Sequence, residues 1–290
     1  MTDRYDQVST VLWRVLFANL AVALAKIGLG YYSGTVSIIS DGFHSLTDTA
    51  SNVVGLVGIS IARRPPDANH PYGHRKYETM ASVGILVFLI LVLVEVLRAA
   101  LDRLLNGGSP RVFPEGIVLM TVTLIVNLVV VSYELRRGRQ LRSEVLLADA
   151  KHTRSDVFTS LAVLGALFGV WAGYPLFDPV AALLVAGFIG HACWSIAQEA
   201  SRILSDEMMM DEREVREVIQ SVAGVLGCEK IRTRGSTDYV FLDLHLWLDR
   251  NTPLFSAHET SHVVKDKLMA NFPQLMDVVI HIEPPPPPSP

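Results

Sequence analysis

A six-helix membrane bundle followed by a small cytoplasmic α+β domain is the fold class the sequence predicts. Three observations predict it. About half of the 290 residues (50%) are apolar and the mean hydropathy is +0.34, more than a soluble domain carries. Six apolar stretches fill residues 1–205, each long enough for the roughly 20 helical residues that a bilayer requires. From residue 206 the pattern changes to that of a compact soluble domain.

The expected spans are 10–32, 36–62, 78–105, 112–135, 146–174 and 178–203. Turn-forming residues separate them: Ser33-Gly34, Pro65-Pro66, Asn106-Gly107-Gly108, Gly138, and Gly173-Tyr174-Pro175. Arg63, Arg64, Arg75 and Lys76 crowd the second connection, and Arg136, Arg137, Arg139 and Arg142 the fourth, while the first and fifth have no basic residue. The even connections and both termini are therefore expected on the cytoplasmic side. Arg103 and Arg111, around the third connection, run against this. The opening MTDRYDQVST has no basic n-region or cleavage signature, so no signal peptide is read.

In the second part, DEREVREVIQSVAGV has helical spacing, CEKIRTR reads as a strand and YVFLDLHLWL alternates strictly. LFSAHETSHVVKDKLMANF is a further helix and MDVVIHIE a closing strand. The order α-β-β-α-β suggests a ferredoxin- or metallochaperone-like domain over 206–283, and 284–290 reads as a disordered polyproline tail. A net charge of -4 argues against nucleic acid as a partner. Two cysteines give no disulfide framework.

Two octets carry the chemistry. DGFHSLTD (41–48) and DAKHTRSD (149–156) both fit Asp-x-x-His-x-x-x-Asp, inside the second and fifth spans. On a helix these offsets share one face, so each octet is a polar stripe within hydrocarbon, where a carboxylate normally faces a bundle interior or a wet cavity. One reading is inter-helix glue, with an Asp paired to Lys151 or Arg154. The other is a metal site, since two imidazoles and several carboxylates from facing helices suffice for a tetrahedral N₂O₂ set. Two octets at one spacing favour the metal. In the loop PPDANHPYGHRKYE, Asp67, His70 and His74 form a second candidate set, interrupted by Pro71 and Gly73 and so not helical. A third group gathers His245, His258, His262, His281 and Glu283 in the soluble part.

The combination of DGFHSLTD, PPDANHPYGHRKYE, DAKHTRSD, FDPVAALLVAGFIG and VVIHIEP resembles the cation diffusion facilitator family, in particular its bacterial zinc/iron-type members, over nearly the whole chain. The resemblance implies six membrane helices, a cytoplasmic α+β domain and a homodimer in the bilayer, in the bacterial inner membrane. It implies efflux of a divalent metal in exchange for protons by alternating access, with the metal as substrate and regulatory ligand and no organic cofactor. Zn²⁺ is the first expectation, ahead of Cd²⁺, Fe²⁺, Co²⁺ and Mn²⁺. The family's central transport site maps onto His44, Asp48, His152 and Asp156, with Asp41 and Asp149 as neighbouring or access-path residues. Its loop site maps onto Asp67, His70 and His74, and its cytoplasmic cluster onto His245, His258, His281 and Glu283. There the chain departs from the pattern: Glu229, beside Cys228, stands where a His is expected, and Glu283 replaces an Asp; His262 is a further candidate.

Two other classes are weighed. A membrane zinc hydrolase needs an open metal position and a general base, and no HExxH motif is present. A membrane-anchored metal sensor would not need imidazoles and carboxylates inside two spans.

Overall fold

The computed structural model describes residues 2–33, 36–106, 114–171 and 177–286. Two compact units divide the chain, Met1–Ala200 and Ser201–Pro290. Part of the expected proline tail, 287–290, lies outside the described residues.

The first unit is helical: α1 (Thr2–Ser33), α2 (Val36–Ala62), α3 (Lys76–Asn106), α4 (Pro114–Leu141), α5 (Glu144–Trp171) and α6 (Phe177–Leu204). α1 packs on α2 and α4, α2 on α3, and α5 on α3 and α4. Leu12, Ile59, Ile85, Leu89, Leu146 and Ile189 are wholly buried at the centre of this packing. Phe17, Leu24, Leu91, Val129 and Leu184 are exposed, the inverse of a soluble core and fitting for a lipid-facing surface. By length and hydropathy, Arg4–Leu29 and Lys76–Asp102 qualify as spans among the described residues, with mean hydropathies of 1.8 and 2.8. Small residues allow close crossings. A Cβ on Gly58 would lie 2.2 Å from that of Ala81, so α2 and α3 meet backbone to backbone there.

Two expected boundaries move. α1 begins near residue 2 because an amphipathic helix can continue beyond the apolar window. Gly138 is not a turn: α4 runs on to Leu141, and Gly138 sits where a Cβ would press Leu147 at 3.0 Å. The turn falls at Arg142, whose φ is 46°. Ser143 N–H donates to the Gly138 carbonyl at 3.0 Å and Arg142 N–H to that of Arg139 at 3.3 Å. This is a Schellman ending with arginine where glycine is usual.

The Arg4 guanidinium explains why that corner holds. It donates to the carbonyls of Leu141 and Arg142, both at 2.8 Å, and to the Glu78 carboxylate at 3.0 and 3.3 Å. Ser143 Oγ adds a bond to Glu78 at 2.6 Å. Glu78 is buried, so removing its cation strands a charge. Arg4→Ala is expected to cost about 3–5 kcal/mol, read as a lower denaturation midpoint in detergent, and Arg4→Met combined with Glu78→Leu should recover most of it. Equal losses in the single and double variants would show that the ion pair is not what matters.

The second unit is α7 (Glu212–Gln220), β1 (Gly227–Ser236), β2 (Tyr239–Trp247), α8 (Leu254–Asn271) and β3 (Leu275–Glu283). Asp211 caps α7 by accepting from Arg213 N–H at 2.8 Å. The sheet order is β1-β2-β3, with β1/β2 antiparallel and β2/β3 parallel. The parallel pairing requires a crossover, and α8 supplies it. Val240, Leu242, Leu244 and Leu246 of β2 pack with Ile219 of α7 and Val264 and Leu268 of α8. The intervening Phe241, Asp243, His245 and Trp247 are half-buried on the opposite face of the sheet. A bulge between Glu229 and Arg232, with Lys230 at φ 50°, interrupts the β1 ladder.

Candidate metal centres

α5 places His152 and Asp156 one turn apart, His152 only 3% exposed. Both line a cavity of about 220 Å³, shared with Asn19 and Lys26 of α1, Ser45 of α2, and Thr123 and Asn127 of α4. A water takes about 30 Å³ of liquid volume, so the space suits a cation with part of its hydration shell. α2 carries positions 41, 44 and 48 on one helical face, but the side chains of Asp41, His44 and Asp48 lie outside the described residues. Ser45, between them, accepts from Lys26 Nζ at 2.8 Å.

The inter-helix-glue partners considered for the octets are engaged elsewhere. Lys151 Nζ donates to Ser195 Oγ at 2.9 Å, and the Arg154 guanidinium lies 5.2 Å from the centre of the Phe158 ring. Asp149 is wholly buried and joins α5 to α2, accepting from Ser51 Oγ at 3.0 Å and from Asn52 Nδ2.

The second-connection set is brought together. Pro65 and Pro66 prevent α2 from continuing. Asp67 then folds the loop over itself, its Oδ1 accepting from the backbone N–H of His70 at 2.7 Å and of Asn69 at 2.9 Å. Gly73, at φ 83°, turns the chain into α3. Asp67 Oδ1 lies 3.3 Å from His70 Nδ1 and Asp67 Oδ2 3.3 Å from His74 Nε2. One ligand atom from each of the three residues lies within 4.8 Å of the others. The His70 backbone N–H, with the His70 ring beside it, holds the Asp67 carboxyl below its usual range despite the opposing effect of burial. His74 Nδ1 meets the Pro65 carbonyl at 3.2 Å. A carbonyl only accepts, so Nδ1–H is the donor there, a contact that fixes the ring with its Nε2 beside Asp67, as second-sphere partners orient metal-binding histidines.

In the second unit three of the candidates meet on the open face of the sheet. His245 and His281 are register partners across β2/β3, and Glu283 is paired with Trp247 two residues on. His245 Nδ1 lies 3.1 Å from Glu283 Oε1, and His281 Nε2 3.8 Å from Glu283 Oε2. One ligand atom from each residue lies within 4.8 Å of the others. Trp247 Nε1–H also donates to Glu283, at 3.3 Å. Burial opposes ionisation of Glu283, but the His245 hydrogen bond and charge outweigh it and hold the carboxyl below its usual range. The other candidates stand apart from this set. His258 and His262 meet edge to face, ring centres 4.5 Å apart, on the exposed side of α8. Glu229 is the register partner of His245 across β1/β2 but lies 3.2 Å from Lys230 Nζ. Cys228 is buried on the core face, opposite Leu246, and burial pushes its thiol up.

The sequence reading missed Lys26 and Glu134. An isolated charge within or at the end of an apolar span was the available signal.

Residues 12–205 match the family described as cation efflux transmembrane domain, and residues 209–285 that described as cation efflux protein, cytoplasmic domain. This combination defines the class: a multi-pass membrane transporter for divalent cations, not an enzyme. The chain belongs to the cation efflux family, also called cation diffusion facilitators. It is 31% identical to metal tolerance protein C1 of Arabidopsis thaliana over 93% of its own length and 61% of that protein, so it spans less than two thirds of that relative. It is 30% identical to the cation-efflux pump FieF of Escherichia coli, over 90% of this chain and 87% of that one. The metal-bound C-terminal domain of the CzcD transporter from Thermotoga maritima is 21% identical, covering 26% of this chain and 94% of that one, with a TM-score of 0.24.

Proposed function

We propose that this protein exports Zn²⁺ in exchange for protons by alternating access, as a homodimer in a bacterial inner membrane with both termini cytoplasmic. Cd²⁺, Fe²⁺, Co²⁺ and Mn²⁺ rank behind Zn²⁺. The observation that carries this reading is the cavity lined by His152 and Asp156 of α5 and by Ser45 of α2, the helix whose sequence also carries His44 and Asp48. Two imidazoles and two carboxylates suit a borderline cation such as Zn²⁺ and neutralise its charge. Metal binding needs neutral imidazoles and ionised carboxylates, so metal and protons compete for the same atoms. A histidine titrates near pH 6.5 when unperturbed, which makes that competition effective at physiological pH. Access must alternate, because a charged site cannot cross dry hydrocarbon.

The Asp67–His70–His74 and His245–His281–Glu283 sets are the proposed accessory and regulatory sites, with cytoplasmic metal acting on the second. The pairing of a transport unit with the family's cytoplasmic domain supports the dimer.

Counterflow in sealed proteoliposomes across a panel of metals tests the reading. Zn²⁺ uptake is expected to depend on an opposing pH gradient and to exceed Mn²⁺ uptake in direct competition. A protein that binds metal but moves none would be the membrane-anchored sensor instead. Preference for Mn²⁺ would leave transport standing and the substrate wrong.

A further inference from the structure

Two buried carboxyls outside the proposed ligand set face each other between α4 and α5. Glu134 of α4 and Asp149 of α5 are both 0% exposed, and Thr153 Oγ1 joins the two residues, 3.3 Å from Glu134 Oε2 and 3.2 Å from the Asp149 carbonyl, so that their carboxyls interact. Asp149 takes donors on both oxygens from α2, Ser51 and Asn52, and Asn52 Oδ1 is in turn held by Asn19 Nδ2 of α1 at 3.0 Å. Glu134 Oε2 accepts from Thr153 Oγ1 at 3.3 Å. Its Oε1 receives no hydrogen bond from any N–H or O–H among the described residues.

The elements packed against α4 are α5 and α1. α5 presents Asp149 and, two turns on along the same helix, Asp156. α1 brings Asn19 and Lys26 to the cavity that Thr153 also lines, where Asn19 donates to Asn52 and Lys26 to Ser45 Oγ, while Arg14 donates to Tyr133 Oη at 2.9 Å and Gln7 accepts from Arg137 at 3.1 Å. No ion pair reaches Glu134 among the described residues. Two interacting buried carboxylates with no cation paired to them repel, and among the described residues Glu134 has only the Thr153 hydroxyl to solvate it. One proton between them turns the repulsion into a hydrogen bond, as in paired catalytic carboxyls.

We infer that Glu134 and Asp149 form a proton-carrying site separate from the metal ligands, holding one proton when the transport site is metal-free and releasing it when a divalent cation binds. The position supports the coupling. Asp149 precedes His152 by three residues, and Asn52 follows Asp48 by four. Asp149 is therefore about one turn from His152 on α5, and the Asn52 that holds it is about one turn from Asp48 on α2. It carries one negative charge with the proton bound and two after the proton leaves. A nearby cation favours the second state, and by reciprocity the proton weakens cation binding. The inference rests on the metal–proton exchange proposed above and adds a carrier that the four ligands do not provide.

Glu134→Gln tests it, because the amide keeps the shape and donates permanently to Asp149. Metal flux and proton release are recorded together in proteoliposomes, and Zn²⁺-induced infrared difference spectra are taken on the detergent-solubilised protein. The wild type should lose a protonated-carboxyl band on binding Zn²⁺. In Glu134→Gln that band should be absent, and the protons exchanged per metal should fall by about one. Asp149→Asn should also remove the band, and it stands in if Glu134→Gln fails to fold. An unchanged carboxyl band and an unchanged proton-to-metal ratio overturn the proposal. A wild type that binds Zn²⁺ without moving it overturns the transport reading instead, and the band then decides the pair alone.

Discussion

Asp156→Ala abolishes metal flux in proteoliposomes while the protein still inserts and folds, and Asp48→Ala does the same. Each removes a proposed ligand together with a charge that offsets the cation. A residue that merely orients a ligand is worth on the order of 10–100-fold in affinity, so loss of a ligand should exceed about 100-fold. Folding should survive because Asp156 lines a cavity rather than filling the core, whose largest members are Leu12, Ile85 and Leu146. Zinc flux within about tenfold of wild type in either variant would remove the central site from the mechanism.

Zinc raises the melting temperature of the isolated segment 206–290, and His245→Ala combined with His281→Ala removes that increase. The segment has its own core around Leu242, Leu244, Leu246 and Leu268, so it can be studied alone. A ligand that binds only the folded state at 100 times its Kd stabilises by about 2.7 kcal/mol. For a domain of this size that is about 10–20 °C in melting temperature. The geometry supports the effect, since the three side chains come from two strands and converge only in the native register. A melting curve indifferent to zinc, with no heat of binding in calorimetry, would make this domain a plain dimerisation module. The transport reading would be untouched.

Most of the fold was legible because period and punctuation agreed. α2 occupies Val36–Ala62, the expected 36–62, since Ser33-Gly34 and Pro65-Pro66 bracket one unbroken apolar helix. β2 was readable from strict alternation, and its burial follows that alternation residue by residue. Gly138 misled because glycine serves two purposes. It breaks helices in water, yet here it admits Leu147 at a helix crossing. Of the candidate sites, the Asp67–His70–His74 set was visible as composition, while the turn that gathers it depends on backbone N–H groups that spacing does not report. His258 was grouped with His245 by composition and resemblance, and Cys228 entered as the neighbour of Glu229. His258 lies on the exposed side of α8, and Cys228 faces the core because alternate residues of a strand face opposite sides. Glu134 was invisible as a partner of Asp149 because the contact joins separate spans, and nothing local in YELRR announces it.

The parallel pairing of β2 with β3 also decides when the cytoplasmic ligand set comes into being. His245 and Glu283 are 38 positions apart and meet only after α8 has crossed over and β3 has docked. Such non-local contacts form late, because the chain must close a long loop before they contribute anything. A cation captured there therefore arrives after the folding transition state, when the domain is already built. Interactions absent from that transition state leave the folding rate alone and retard unfolding. A metal bound at this position would act as a latch on a finished domain and not as a seed for its assembly, so supply of the ion would govern how long the folded domain lasts and not how quickly it forms.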